Sequence, residues 1–167
     1  MTRVEEIIKE LDLRPHPEGG YFKETYRSEG AIEQNSLGPN FKGARNYSTC
    51  IYFLLTSETF SAFHRIKQDE IWHFYEGTPI QLHTISESGI HEQYLIGQNF
   101  SDGQTPQLVV PARHWFAAQV LDKSSYALVG CTVSPGFDFN DFELPMRKEL
   151  ITKFPQHKTL IAQFTNS

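Results

Sequence analysis

The sequence predicts an all-β fold, built as an antiparallel sandwich or barrel with short helices at its two ends. Many short runs rich in aromatic and β-branched residues follow one another through the middle of the chain, and small polar turn clusters separate them. No helical pattern lies between these runs, so a parallel α/β sheet is not expected. With 167 residues, 39% hydrophobic and 13% aromatic, the chain is long and apolar enough to fold as a single domain over residues 1–167.

The first predicted element is a short N-terminal helix that ends near Leu11. Thr2 and Glu5 have the spacing of a capping box, and apolar residues between Val4 and Leu11 share one helical face. Residues 14–20 follow with two prolines and two glycines, which end the helix and favour a turn.

Strands come next, and helices close the chain. The polar stretch 28–43 contains three glycines and predicts a long loop. After Pro145 the apolar residues return to helical spacing, which predicts one or two short C-terminal helices. The predicted strands cover residues 21–27, 45–56, 60–66, 70–76, 79–86, 90–96, 107–111, 114–121 and 126–134.

Composition and charge argue against several function classes. The chain has 15 basic and 20 acidic residues, a formal net charge of -5, and no block of Lys or Arg, so neither nucleic acid nor a membrane surface is an expected partner. No apolar run is long enough to span a membrane and the first residues do not resemble a signal peptide, which favours a cytoplasmic location. Cys50 and Cys131 lie in apolar runs without CxxC spacing and are expected to be free, buried thiols. No phosphate-binding loop or nucleophile elbow is present.

One stretch, residues 63–77, combines a histidine, a carboxylate and a closing glycine. A strand that carries His64 turns through polar residues into a strand that begins at Glu70. If the two strands are antiparallel neighbours, the imidazole and the carboxylate lie at the same end of the pair and can interact. His64 and Glu70 are therefore the predicted catalytic acid–base pair, and the alternative is a satisfied polar pair that anchors a hairpin.

The spacing in this stretch resembles the motifs of the cupin superfamily. The first cupin motif contains two histidines, a glutamate and a glycine, and the second a proline, a glycine and a histidine. In this chain the two motifs fall on His64, Ile66, Glu70 and Gly77, and on Pro111, Arg113 and Phe116.

The chain is more narrowly similar to the DUF985, or cupin-5, subfamily of uncharacterised cupins. The matching blocks are residues 16–22, 24–28, 64–77 and 130–139. The resemblance implies a double-stranded β-helix barrel of the jelly-roll type, with its core at about residues 21–135 and a ligand pocket inside. It also implies a homodimer.

The departures from the cupin motifs bear on the cofactor. Metal-binding cupins take three histidines and a glutamate, but Ile66 and Phe116 occupy two of those positions here and have no lone pair to donate. A metal would need further ligands from neighbours such as Gln81, His83 or His114. The sequence therefore predicts no metal and no other cofactor.

Strand parity and the turn before the first strand predict the rest of the pocket. On the strand that begins at Glu70, every second residue from Glu70 onward should face the ligand, and two residues that share one face of the next strand should do so as well. The residue at the histidine position of the second cupin motif should also face the ligand. The turn at residues 16–20 adds an imidazole and a carboxylate, either as a pocket rim or lid hinge or as a rigid turn. The predicted ligand-binding residues are Trp72, Phe74, Gln81, His83, Phe116, His16 and Glu18.

Three other features have mainly structural interpretations. Residues 135–142 contain three phenylalanines and two acids, and are interpreted as an aromatic plug of one barrel end. Arg27 near Glu24 is either an anion clamp or a surface ion pair. His91 and His157 follow turn-like residues and are expected to be exposed without a role.

These features predict a protein that binds a small molecule inside a cupin barrel. The favoured activity is a metal-independent epimerase or isomerase of a sugar or keto compound, in which His64 is the base and Glu70 orients it, as the metal-free sugar-nucleotide epimerases of the cupin superfamily suggest. The alternatives are a non-catalytic ligand-binding or sensor protein, and a metal-dependent enzyme with non-standard ligands. The tyrosines that could return the proton are Tyr21, Tyr26, Tyr47, Tyr52 and Tyr75.

Overall fold

Antiparallel strands account for most of the regular structure. A computed structural model describes all residues from Met1 to Ser167. The strands are β1 (Arg14–Pro15), β2 (Tyr21–Arg27), β3 (Ala31–Ile32), β4 (Arg45–Asn46), β5 (Thr49–Thr56), β6 (Ser61–His64), β7 (Asp69–Gly77), β8 (Ile80–Ile85), β9 (His91–Ile96), β10 (Gln107–Val110), β11 (Trp115–Val120) and β12 (Tyr126–Ser134).

The helices lie mostly near the chain ends. Thr2 caps the first of them, since its hydroxyl accepts from the Glu5 N–H and the Glu5 carboxylate accepts from the Thr2 N–H, which confirms the predicted capping box. No helix of the chain has the length and apolarity that crossing a membrane requires. The helices are α1 (Arg3–Glu10), α2 (Gln34–Leu37), α3 (Arg147–Lys153) and α4 (Lys158–Gln163), with 3-10 turns at Phe100–Asp102, Phe139–Asp141 and Pro155–His157.

Two antiparallel sheets face each other and form the barrel. The larger sheet has the order β1-β2-β5-β12-β7-β10 and the smaller has the order β6-β11-β8-β9, which confirms the predicted all-β class and the jelly-roll architecture. Apolar side chains from both sheets fill most of the interior. This core includes Phe53, Trp72, Leu82, Phe116 and Val129.

The helices cover the outer faces of the two sheets. On the larger sheet, Ile7 of α1 packs with Leu54 and Leu128. On the smaller sheet, Leu150 of α3 and Phe164 at the end of α4 belong to a second buried apolar cluster. Both terminal regions therefore stabilise the barrel by burying apolar surface on its outside.

The segment between β2 and β5 differs from the prediction. The predicted loop 28–43 contains β3 and α2, and the single strand predicted at 45–56 is divided into β4 and β5. The division arises because β4 pairs with β3, and the Tyr47 N–H donates to the Gly30 carbonyl, while β5 joins the larger sheet.

The strands that carry His64 and Glu70 are not neighbours. β6 pairs with β11 in the smaller sheet, whereas β7 pairs with β12 and β10 in the larger one. Gln68, in the connection between them, is buried, and its amide donates to the Asp141 carboxylate at 2.8 Å and to the Gly136 carbonyl at 3.2 Å. The connection therefore crosses between sheets instead of forming the expected hairpin, and the two side chains approach across the barrel interior.

The homodimer implied by the resemblance stays a prediction. The outer face of the larger sheet leaves Tyr75 and Val109 about half exposed. Sedimentation velocity at several protein concentrations measures the oligomeric state directly. A second copy on this face would bury both side chains.

Candidate active site

A cavity lies between the two sheets at one end of the barrel. It encloses about 460 Å³ of space not filled by atoms, including its opening to solvent. The part of it that a water-sized molecule can occupy is about 40 Å³, which is room for a few water molecules or a small head group and well below the volume of a typical ligand pocket. The residues that line it are His16, Glu18, Phe22, Thr49, Ile51, His64, Ile66, Glu70, Cys131, Val133, Phe137 and Phe142.

The turn before β2 brings two of the polar groups into this cavity. The His16 N–H donates to the Gly20 carbonyl, and the Gly19 N–H donates to the His16 carbonyl. Gly19 has φ +110°, and a Cβ there would collide with the Phe60 carbonyl oxygen, so only glycine fits. The turn is therefore rigid, as one of the two interpretations expected, and it also places the His16 and Glu18 side chains against the ligand space.

A buried ion pair joins Glu18 to His64. The His64 Nε2 atom lies 2.5 Å from a Glu18 carboxylate oxygen, and Nδ1 donates to the Ala62 carbonyl at 2.7 Å. Both ring nitrogens thus face acceptors, which favours the doubly protonated imidazolium. Burial disfavours that charge, but the Glu18 carboxylate outweighs burial and raises the pKa of His64. Burial likewise disfavours the charge on Glu18, but His64 and then His16 outweigh it and lower the pKa of Glu18.

His16 is neutral and offers a free donor. Its Nδ1 accepts from the Glu18 backbone N–H at 3.1 Å, so the ring proton is on Nε2, which has no partner within the protein. Burial lowers the pKa of His16 even though the Glu18 carboxylate raises it. The Nε2–H group can therefore donate to an oxygen of a molecule in the cavity.

Glu70 is the group best suited to exchange a proton near neutral pH. It is buried and forms no ion pair, and it lies near Cys131 and Trp72. Burial first, and then repulsion by Glu18, raise the pKa of Glu70 to about 7, while the charge on His64 opposes them. A carboxyl with this pKa can act as either acid or base.

The predicted roles of His64 and Glu70 need correction, although both residues line the cavity. His64 pairs with Glu18 and forms no ion pair with Glu70, because β6 and β7 lie in different sheets. Neither nitrogen of His64 is free to take a proton from a ligand while its two contacts persist. His64 is therefore a charged neighbour of Glu70, and Glu70 is the cavity carboxyl that has no ion-pair partner.

Three of the predicted ligand-binding aromatics belong to the core instead. Trp72 and Phe116 are buried and Phe74 packs against the same apolar cluster, and none of the three lines the cavity. Phe116 lies directly behind the site, with its ring 4.0 Å from the ring of His64 between centroids. The alternation of residues along β7 correctly predicted which side chains face the barrel interior. Past Glu70, however, side chains fill that interior.

Gln81 and His83 lie outside the barrel interior, which overturns their predicted place in the pocket. On β8 the interior face carries Ile80 and Leu82, so the residues between them point outward. There the ring of His83 packs against Phe164, with centroids 5.1 Å apart. Parity showed that Gln81 and His83 share a face but did not show which face is covered by the C-terminal helices.

The cavity also contains residues that the sequence did not single out as ligand-binding. Phe137 and Phe142 come from the segment interpreted as a plug, and they form walls of the cavity. Asp138 accepts from the Asn140 N–H and caps the 3-10 turn Phe139–Asp141. The feature of the sequence that could have identified these cavity residues was the concentration of aromatic residues after β12.

None of the candidate tyrosines lines the cavity. Tyr52 and Tyr75 contact each other edge to face, with ring centroids 6.3 Å apart, and Tyr75 is half exposed on the outer face of the larger sheet. Tyr26 and Tyr47 are more than half exposed. The site therefore has no phenol to return a proton from the opposite side of a substrate.

The side chains present do not fit the metal centre that many cupins contain. Ile66 and Phe116 occupy two of the ligand positions, and both nitrogens of His64 are engaged. No group of three or more His, Cys, Asp and Glu side chains is arranged to hold a metal ion. His83 points outward and His114 lies in a turn where its Nδ1 contacts the Ala112 carbonyl, so neither supplies the missing ligands.

Comparisons with known proteins agree with this architecture. A family model described as Cupin superfamily (DUF985) matches residues 5–145. The chain is also 31% identical over 149 residues to the uncharacterised protein YML079W of Saccharomyces cerevisiae, covering 84% of this chain and 74% of that protein.

Solved structures show the same fold. Protein SO0799 from Shewanella oneidensis is 35% identical with a TM-score of 0.89, over 99% of both chains. A hypothetical protein from Leishmania major is 35% identical with a TM-score of 0.90, over 99% of this chain and 100% of that one. An oxalate decarboxylase from Bacillus subtilis is 16% identical with a TM-score of 0.54, over 92% of this chain and 38% of that one, and shares the fold.

Proposed function

The chain belongs to the Cupin superfamily (DUF985), and we propose that it binds a small carbonyl compound inside its barrel and transfers a proton at the carbon next to the carbonyl. The observation that carries the proposal is a buried carboxyl with a pKa of about 7, Glu70, in the same cavity as a neutral histidine with a free N–H, His16. A carboxylate base combined with a neutral imidazole donor is a known arrangement for enolisation.

The chemistry follows from the protonation states of the four polar side chains. The Glu70 carboxylate takes the proton from the α-carbon, and the electron pair of the broken C–H bond moves toward the carbonyl oxygen. The resulting enolate oxygen accepts a hydrogen bond from Nε2–H of His16. Glu70 then returns its proton to the same carbon, which gives exchange. If the α-carbon carries a hydroxyl group, the intermediate is an enediolate, and return of the proton to the former carbonyl carbon, with transfer of the hydroxyl proton to the other oxygen, gives isomerisation.

The ion pair between His64 and Glu18 supports this step without titrating in it. Its two charges cancel overall, but the imidazolium favours the ionised form of Glu70 and the carboxylate disfavours it. The two effects, together with burial, hold the pKa of Glu70 near the working pH. Loss of either partner would move that pKa in a direction set by the charge removed.

The absence of a phenol from the cavity favours an isomerase over an epimerase. Inversion at carbon needs an acid on the face opposite the base, and the tyrosines lie outside the cavity. A single base that removes and returns a proton on one face suits a 1,2-shift. The polar groups of the cavity include one free carboxyl, Glu70, and one free donor, His16, which matches that requirement.

The test is proton exchange in D₂O, followed by NMR with dihydroxyacetone and butanone as probes. Wild-type protein should accelerate loss of the α-proton signal, and Glu70→Gln should reduce that acceleration at least 100-fold. The matched control is Glu87→Gln, an exposed carboxyl that contacts only Arg113 at 3.5 Å. Full activity in Glu70→Gln would overturn the proposed base.

A second candidate is ligand binding without turnover. The observation that favours it is the full engagement of His64, whose nitrogens contact Glu18 and the Ala62 carbonyl. An ion pair whose hydrogen-bonding atoms are all engaged can maintain the shape of a binding pocket without taking part in a reaction. Binding of a carbonyl probe with no acceleration of exchange would favour this function.

A further inference from the structure

The cavity continues outward into a groove on the protein surface. The inner cavity and the groove share Phe22, Thr49, Ile51 and Phe137. The groove reaches solvent beside Phe139, which is 54% exposed. A ligand can therefore extend from Glu70 at the inner end to the surface.

The polar groups lie at the two ends of this passage, with Glu24, Arg27 and Asp138 at the solvent end, and its middle is mostly apolar. Along its walls, the Thr49 hydroxyl already accepts from the Phe137 N–H at 2.9 Å, and the remaining shared residues are apolar. A polyol would leave several hydroxyl groups without partners there, and each unpaired buried hydroxyl is unfavourable. The walls therefore suit an apolar body and disfavour a sugar.

Three phenylalanines form one side of the passage. The rings of Phe137 and Phe139 meet edge to face with centroids 4.9 Å apart, and Phe139 contacts Phe142 at 5.8 Å in the same way. Asp141 anchors the segment through a bidentate ion pair with Arg45, at 2.8 and 2.9 Å. The segment thus presents aromatic faces and edges in a fixed arrangement, which suits contact with a flat apolar group.

The charge of the arginine at the groove is already balanced by a carboxylate. Arg27 forms an ion pair with Glu24 at 2.7 Å, donates to the Asn46 side chain at 2.8 Å and donates to the Phe137 carbonyl at 3.0 Å. It therefore acts as an ion pair and not as an anion clamp, and it ties the aromatic segment to β2. The groove therefore holds no unbalanced positive charge for a phosphate or carboxylate tail.

We propose that the substrate is an uncharged carbonyl compound with a flat apolar substituent, such as an aryl ketone, and that Phe137 and Phe139 determine this specificity. The inference rests on the proposed function, because it places the carbonyl and its α-carbon between Glu70 and His16. The apolar substituent then lies along Phe22 and Phe137 and ends beneath Phe139. Sugars and phosphorylated compounds are poor ligands for this passage.

The experiment measures binding and exchange separately for three carbonyl probes: benzylacetone, butanone and dihydroxyacetone. Isothermal titration should show benzylacetone binding at least about tenfold more tightly than either of the others, because only its phenyl group buries apolar surface in the groove. Phe139→Ala should weaken benzylacetone about fivefold and leave butanone within twofold. Phe100→Ala is the matched control, since Phe100 is 70% exposed and lies outside both cavities.

The outcomes separate this inference from the proposed function. Phe137→Leu provides a second, conservative variant in case a truncation in the walls perturbs folding, and it should also weaken benzylacetone selectively. Equal or tighter binding of dihydroxyacetone, or no effect of either phenylalanine variant, overturns the inference. Benzylacetone binding without proton exchange in D₂O overturns the proposed function and supports the inference about the ligand. Binding of none of the three probes overturns both.

Discussion

The molecule has two histidine clusters, one inside the barrel and one outside, and they behave in opposite ways. The inner cluster contains His16 and His64 with two carboxylates. The outer cluster contains His83, His91 and His157 between the smaller sheet and the C-terminal segment, and no carboxylate forms an ion pair with them. The comparison isolates what a counter-charge does to a partly buried imidazole.

The pKa values of His83 and His91 in the outer cluster are lowered, first by burial and then by a neighbouring ring. His83 Nε2 donates to the Gln81 side chain and Nδ1 accepts from Nε2 of His91 at 3.0 Å, while Nε2 of His157 donates to the Gly89 carbonyl at 2.6 Å. Burial, and then the neighbouring His91, lower the pKa of His83 to about 4. Burial and His157 also lower the pKa of His91.

The difference shows that burial alone does not decide whether a histidine is charged. The same desolvation acts on His64 and on His83, but only His64 has a carboxylate in contact, and only its pKa is raised. The carboxylates also create the unusual acid, because repulsion from Glu18 contributes to the raised pKa of Glu70. Four predictions test this contrast.

The largest expected effect is the loss of stability in His64→Ala. Removal of the imidazolium leaves Glu18 buried without its partner, which is expected to lower the free energy of unfolding by about 3–5 kcal/mol. His83→Ala removes a neutral ring and should cost about 1–2 kcal/mol. Urea denaturation at pH 7 measures both. Adding Glu18→Gln to His64→Ala should recover part of the loss, and equal losses in the two single variants would show that the ion pair is not what distinguishes the clusters.

The second effect is a gain of stability in Glu70→Gln at high pH. The folded-state pKa of about 7 lies above the ordinary value of 4.5, so the folded protein holds a proton that the unfolded chain has lost, and stability falls as the pH rises from 4.5 to 7. At pH 8 the variant should be more stable than wild type by about 2–3 kcal/mol, and at pH 4 the two should be similar. Urea midpoints at both pH values check this prediction, and an identical difference at both would contradict it.

The third effect has the opposite sign and comes from the outer cluster. The folded-state pKa of His83, about 4, lies below the ordinary 6.5, so the unfolded chain binds the proton first and stability falls as the pH drops through that window. The expected contribution is about 1–2 kcal/mol after allowing for solvent screening. Thermal denaturation at pH 7 and pH 5 should show a smaller loss in His83→Gln than in wild type. A loss of the same size in both proteins would assign the acid sensitivity to other groups.

The smallest effect concerns His157 at the edge of the outer cluster. His157→Asn removes the hydrogen bond to the Gly89 carbonyl and should lower stability by about 0.5–1.5 kcal/mol. It also removes the repulsion that His157 exerts on a protonated His91, so the pKa of His91 should rise, as an NMR titration of its ring protons would show. An unchanged titration of His91 would mean that the two rings do not interact in solution.

Sequence patterns predicted the strands well where a strand alternates between an interior and an outer face. β2 and β12 have the predicted bounds, and α1 begins at the predicted capping box. The sequence patterns predicted strand bounds less accurately where one continuous run of strand-forming residues pairs with two different strands. The division into β4 and β5 depends on β3, which the polar loop composition did not predict.

The candidate site was predicted in part. His16, Glu18, His64 and Glu70 line one cavity, and all four were singled out from their residue types and the motif spacing. The partner of His64 was wrong, because pairing between distant segments depends on sheet order and not on distance along the chain. Gln81 and His83 were misplaced for a related reason, since alternation relates residues of one strand to each other without telling which face the helices cover.

The sequence by itself determined the fold class, the bounds of most strands and helices, and the polar residues available for chemistry, because alternation, capping and turn preferences are local properties. Only the tertiary structure decided that β6 and β7 belong to different sheets, that Glu18 reaches His64, and that Glu70 lies buried without a counter-ion. The physical reason is that a pKa depends on burial and on neighbouring charges, and both arise only when distant segments pack together.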